Sequence, residues 1–191
     1  MVKINLEPRT FLFPMPTTIV GANVNGKPNY VTIAYCGIVQ ADPPMLSVAC
    51  HREHYTNAGI KENQTFSVNI PSEEIVEITD YIGLNSGKKV DKSGLFATFY
   101  GSLKTAPMIQ ECPLNLECRL HKIVDIPGRD ELFIGEIVAI YTEDKYVSNG
   151  LPDINKIRPI IFSYGDHNYW KVGGHLGKAW SIGKNYRPLN I

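Results

Sequence analysis

The sequence predicts a mainly β protein, a β-barrel with short helices, as a single domain over residues 1–191. Three observations predict it. Strand-like apolar runs recur along the chain, tight-turn signals separate them, and only two short stretches carry helix starts. Alternating βαβ units are absent from this pattern, as is GxGxxG, which argues against a dinucleotide-binding domain of parallel strands.

The elements follow in order. Residues 17–24 (TTIVGANV) are rich in β-branched side chains, which suit a pleated strand. Asn25-Gly26 comes next, a pair that accepts the positive φ of a two-residue hairpin turn. Residues 29–36 (NYVTIAYC) make the return strand, and Pro43-Pro44 breaks the chain after it. Residues 45–50 (MLSVAC) and 65–70 (TFSVNI) are short apolar runs fit for buried strands. Leu114, Leu116, Cys118 and Leu120 alternate with Asn115, Glu117, Arg119 and His121, the period of a strand with one wet face. Pro127-Gly128 marks a turn before residues 132–141 (LFIGEIVAIY), the longest strand, and residues 160–164 (IIFSY) form the last. Thr56 is placed to cap a helix through Lys61. Ser72 is placed to cap a second helix to Gly83, with Glu73 and Glu74 as a solvated face in its first turn. Residues 85–94 (NSGKKVDKSG) read as a loop.

Lys+Arg and Asp+Glu balance at 19 each, so no global basic field draws the chain to nucleic acid or anionic lipid. No apolar run approaches the length that crosses a bilayer. Residues 1–16 are interrupted by Lys3, Glu7 and Arg9 and lack the core of a secretion signal. The four cysteines, Cys36, Cys50, Cys112 and Cys118, show no CxxC spacing and no disulfide framework. A cytoplasmic protein without nucleic-acid or membrane partners is expected.

Motifs that would carry chemistry are few. Gly177-Lys178 and Gly183-Lys184 lack the preceding glycine of a phosphate loop, since Val172 and Lys178 stand there. Cys50, His51 and His54 lack a fourth ligand at motif spacing, so no metal site is expected. Arg52, His54, Tyr55 and Thr56 arrive together before a helix start, where backbone N–H groups and a guanidinium fork suit a phosphate. A capped surface helix with a solvated arginine would leave the same pattern. Asn29, Thr32 and Ala34 put small and polar groups on one strand, which lets a flat ligand approach the backbone. Rings and glycines mix from Tyr164 to Tyr186, as in an irregular segment packed on something flat.

Taken together, MPTTIVG at 15–21, PNYVTIA at 28–34, DPPMLSV at 42–48, the stretch 52–57 and GEIV at 135–138 resemble the flavin reductase-like family. The tail from Tyr169-Trp170 to Gly183-Lys184 is similar to its flavoredoxin-type members. The resemblance implies an FMN-binding split barrel, usually a homodimer with FMN near the subunit interface. It implies that Asn29, Thr32 and Ala34 line the flavin and its ribityl chain. Ser47, Val48, Ala49 and Cys50 would offer backbone groups to the polar ring edge. Arg52, His54, Tyr55, Thr56 and Asn57 would hold the phosphate, and Lys92 and Trp170 would approach the cofactor, Trp170 from the tail or from the other subunit. Lys92 would stabilise the reduced flavin. Many relatives carry a Gly-Asp-His before the Gly-Glu strand, and this chain reads Gly128-Arg129-Asp130-Glu131, which puts direct use of NADH or NADPH in question. The implied function is electron or hydride transfer through FMN, with no protein nucleophile or base required. The alternatives are an electron carrier between redox protein partners and a flavin-binding module without turnover.

Overall fold

The computed structural model describes residues 1–187. In chain order the strands are β1 (Met15–Pro16), β2 (Thr18–Val24), β3 (Lys27–Ile33), β4 (Cys36–Ala41), β5 (Pro44–His51), β6 (Thr65–Ile70), β7 (Thr98–Phe99) and β8 (Met108–Ile109). The rest are β9 (Leu114–Val124), β10 (Asp130–Thr142), β11 (Val147–Ser148), β12 (Leu151–Pro152), β13 (Ile160–Ser163) and β14 (Asn168–Lys171). The helices are α1 (Thr56–Asn63), α2 (Val76–Leu84) and the single turn α3 (Ile154–Ile157).

Seven strands form one antiparallel sheet in the order β3-β2-β6-β9-β10-β5-β4. Val20, Val31, Leu46, Val48, Phe66, Cys118 and Phe133 come from six of those strands yet share one buried cluster. A sheet whose distant strands share one core is curled around it. The curl brings β3 beside β5 with no ladder between them, so the barrel has a seam. Helix α1 packs on β2 with Ile60 in the core. Helix α2 and residues 95–112 cover the outer face of β2 and β3 through a second cluster of Ile19, Tyr30, Ile82, Phe96, Ile109 and Cys112.

Local chemistry accounts for several boundaries. The β2–β3 hairpin turns on Asn25 (φ 51°) and Gly26 (φ 76°), the left-handed pair that such a turn needs. Residues 29–36 do not make one strand. The Cys36 N–H bonds back to the Ala34 carbonyl at 3.0 Å, and this tight turn sends the chain across the seam into β4, an exposed edge strand. Thr56 does not cap α1. Tyr55 holds the cap position without a side-chain bond, and Thr56, the first residue of the helix, accepts from Asn29 Nδ2 at 2.7 Å through its hydroxyl. Ser72 likewise makes no capping bond, and a short 3₁₀ turn at Glu73–Ile75 precedes α2. Glu73 is not solvated, since Arg158 and Lys171 both pair with it.

Strand β9 departs most from its alternation. Asn115 and Glu117, on the face expected to be wet, are 3% and 0% exposed. Residues 98–109 fold over that face. Glu117 accepts from the Ser102 N–H (3.1 Å), the Ser102 hydroxyl (3.1 Å), the Leu103 N–H (2.8 Å) and the Tyr141 hydroxyl (3.2 Å). A carboxylate with four donors tolerates burial that an unpartnered one would not.

Among the described residues, no helix is long and apolar enough to cross a membrane. Trp170 on β14 is 56% exposed and donates to Ser163 Oγ at 2.8 Å, and from Val172 onward the chain lies mostly on the surface.

Candidate functional site

A groove runs along the outside of β3 and opens at the seam. Its narrow middle, about 140 Å³, is bounded by Asn29, His54, Tyr55, Thr56 and Lys92 on one side and by residues 83–87 on the other. One end widens into a trough of about 360 Å³ with Lys27, Lys88, Lys89 and Lys92 in its walls. The other end forks around Thr32 and Ala34. One branch, about 260 Å³, lies in the seam against Ala49, His51, His54 and Arg129. The second branch, about 410 Å³, lies against α2 and the β13–β14 hairpin. Phe162 borders both branches.

The middle is built from buried polar groups. Asn29 is 4% exposed and locks Thr56 in place. Lys92 is 2% exposed, and its Nζ donates to the carbonyls of Tyr30 (2.9 Å) and Ile82 (2.7 Å), leaving one of three donors unassigned. Burial pulls its pKa down to about 8. His54 also titrates below its ordinary value, through burial first and then the nearby His51 and Lys92, so its imidazole is neutral at pH 7. Its buried Nδ1 has no partner among the described residues. Gly83 faces Thr32, and a Cβ there would sit 3.2 Å from the Thr32 Cβ, so glycine keeps this wall thin.

The seam branch offers backbone. Pairing of β4 with β5 ends at Cys36 and Val48, with one more bond from the Ala49 N–H to the Tyr35 carbonyl at 2.9 Å. Cys50 and His51 pair with β10 and with no strand on the groove side, where the His51 carbonyl accepts from the His54 N–H (2.9 Å) and Asn57 Nδ2 (3.0 Å), so the groove edge of β5 is only partly open. A flat ligand with amide-like edge atoms could complete it as a strand would. Small walls at Ala34 and Ala49, a partly open strand edge and an orphaned His54 nitrogen fit a planar heterocycle. The buried Lys92 and the lysine trough fit a phosphate joined to it.

The family profile described as flavin reductase like domain matches residues 10–164. The chain belongs to the flavin reductase-like family. Among solved structures, flavoredoxin from Methanosarcina acetivorans is 49% identical with a TM-score of 0.94, covering 96% of this chain and 98% of that one. Flavoredoxin of Desulfovibrio vulgaris (Miyazaki F) is 34% identical with a TM-score of 0.89, covering 96% and 100%. An uncharacterized protein of Archaeoglobus fulgidus is 36% identical over 147 residues, which is 76% of this chain and 81% of that one. The seamed sheet described above is therefore the split barrel of the flavin reductase-like family, a flavin-binding fold.

Within this flavin reductase-like chain, the groove brings together Asn29, Thr32, Ala34, Ala49, His54, Tyr55, Thr56 and Lys92. Other expected site residues lie elsewhere. Arg52 lines none of these pockets. Its guanidinium bonds Gly128 O (3.1 Å), Ile126 O (2.8 Å) and Asp125 (2.6 Å) in the β9–β10 loop, with Glu131 at 3.8 Å. Asn57 spends its amide on His51 O and Glu131. The expected free N–H groups at the start of α1 are partly taken, since Asn57 and Ala58 donate to the carbonyls of His54 and Tyr55. The side chains of Val48 and Cys50 sit in the core and Ser47 bonds across to Gly37, whereas the expectation for these residues concerns their backbone groups. Cys50 therefore points away from His51 and His54, whose rings lie 5.8 Å apart. Trp170 borders no branch of the groove among the described residues.

Sequence reasoning missed the far wall: Asp80, Gly83 and Leu84 from α2, and Phe162, His167 and Tyr169 from β13–β14. Lys88 and Lys89 carried a signal, like charges beside Lys92 in one short loop, that read only as polarity.

Proposed function

We propose that this flavin reductase-like protein binds FMN in the groove and transfers electrons or hydride through it. The observation that carries the reading is the groove's polarity. A buried Asn29–Thr56–Lys92 end suits the phosphate, and the partly open β5 edge beside Ala34 and Ala49 suits the ring. Bound FMN supplies the electron and hydride chemistry. Lys92 offsets the phosphate charge, Asn29 and Thr56 orient it, and Thr32 tethers α2 to β3 by donating to the Thr79 carbonyl. His54 stands where the groove forks, with its buried Nδ1 free to pair with a ligand.

The working form is a homodimer. Edge strand β4 exposes Ile38 (69%) and Val39 (50%), and Phe11, Leu12 and Phe13 are exposed in the N-terminal arm, which together suit a second copy. Four free thiols suit a reducing cytoplasm. A second reading, an electron carrier between redox proteins, is favoured by the stretch Gly128-Arg129-Asp130-Glu131, which brings Arg129 and Asp130 to the seam branch and contains no histidine.

The test is the visible spectrum of the protein with FMN, followed by anaerobic NADH and then NADPH. A perturbed spectrum that bleaches with a nicotinamide supports a reductase, and one that stays yellow supports the carrier. An unperturbed spectrum removes the FMN reading.

A further inference from the structure

The branch against α2 is larger than the seam branch, about 410 Å³, and the FMN reading leaves it empty. One wall is aromatic: the Phe162 ring centroid lies 5.8 Å from Tyr169 and 6.3 Å from His167. Leu84 and Ala34 add carbon. One carboxylate side chain enters it, Asp80, and the Tyr169 hydroxyl donates to Asp80 Oδ1 at 2.8 Å. Burial, then that carboxylate, raise the phenol's pKa, so Tyr169 keeps its proton at working pH. Among the described residues no lysine or arginine borders this branch, whereas four lysines border the opposite trough. The trough, four lysines against Asp91, is therefore net cationic, whereas this branch carries Asp80 without a lysine or arginine.

We infer that this branch is a second-ligand site, taking a neutral ring-bearing molecule that donates a hydrogen bond to Asp80 and rejecting anionic ones. The volume matches a small-molecule site and the aromatic wall matches a flat ring. Asp80 decides the charge preference, because a second carboxylate there would face it with no cation between them. The ligand's place beside the flavin rests on the FMN reading; its class rests on Asp80, Tyr169 and Phe162 alone.

The probes are 4-hydroxyacetophenone, which is neutral, and 4-hydroxybenzoate, which has the same ring and phenol with a carboxylate. Each is titrated calorimetrically into FMN-loaded protein, and released flavin is measured in the filtrate. The expected result is saturable binding of the ketone with FMN retained, and binding of the benzoate at least about tenfold weaker. Asp80→Asn should narrow that ratio to about threefold or less. Equal binding of the two probes by the wild type, or no binding of either, overturns the inference and leaves the FMN reading intact. Displacement of FMN by the ketone also overturns it, because the branch then belongs to the flavin. If FMN itself fails to bind, the FMN reading falls. The same preference in flavin-free protein would then still support the site, and its absence would overturn it.

Discussion

Replacing Lys92 with methionine tests the phosphate end of the groove most directly. The wild-type ammonium is 2% exposed, is held by two carbonyls, and titrates near pH 8 rather than at its ordinary value. A phosphate beside it would gain a charge-assisted bond of about 1.5–3 kcal/mol, which is about 10- to 150-fold in affinity. Lys92→Met should therefore weaken FMN at pH 7 by that factor and leave riboflavin, which lacks the phosphate, almost unchanged. The pH dependence follows from the direction of the shift. The lysine deprotonates in the flavin-free folded protein as pH rises through about 8. Wild-type affinity for FMN should thus fall between pH 7 and 9.5, while that of Lys92→Met stays low and flat. Stability of the flavin-free protein runs the other way. The unfolded chain holds this proton up to the ordinary lysine value, so unfolding free energy should rise with pH between about 8 and 10.5, by at most about 3 kcal/mol, and the variant should lose that rise. Quenching of flavin fluorescence measures the affinities, and urea midpoints measure the stability. A pH-independent wild-type affinity, or equal loss of FMN and riboflavin in the variant, would refute the assignment of Lys92 to the phosphate.

Three further outcomes are expected. Glu117→Gln should lower stability by about 2–4 kcal/mol in urea unfolding, because one amide cannot accept from both groups of donors around it; a change under about 0.5 kcal/mol would show that the buried carboxylate contributes little. Arg52→Ala should reduce FMN affinity less than Lys92→Met does and should mainly raise amide exchange across residues 125–131, since its guanidinium bonds that loop; an affinity loss as large as that of Lys92→Met would return Arg52 to the phosphate. Ile38→Glu on β4 should shift sedimentation toward monomer at micromolar concentration, and a monomeric wild type would remove the dimer proposal.

The sequence was most legible where local chemistry decides the structure. Asn25-Gly26 needs positive φ and takes it, and residues 65–70 form the strand their apolar run predicts. Legibility failed where a distant segment supplies the partner. Glu117 reads as a wet-face residue until residues 102 and 103 bring it donors. Arg52 reads as a solvated arginine or a phosphate ligand, and its bonds to Asp125 and Ile126, far along the chain, are announced by nothing local. Asp80 and Tyr169 are separated by 89 positions, and nothing local in either stretch announces their hydrogen bond. The burial of Lys92 was not legible locally, since a lysine in a polar loop looks solvated and this one is 2% exposed.

The seam between β3 and β5 makes this barrel a sheet that is never sewn shut by its own backbone. A molecule lodged there touches both sides and binds only when they are together, so it acts as the missing stitch. At a hundredfold excess over its dissociation constant it would add about 2.7 kcal/mol to folding stability. Protease resistance in a cell would then track supply of that molecule, and a chain made during scarcity would be short-lived. Abundance would report on the ligand before any activity did.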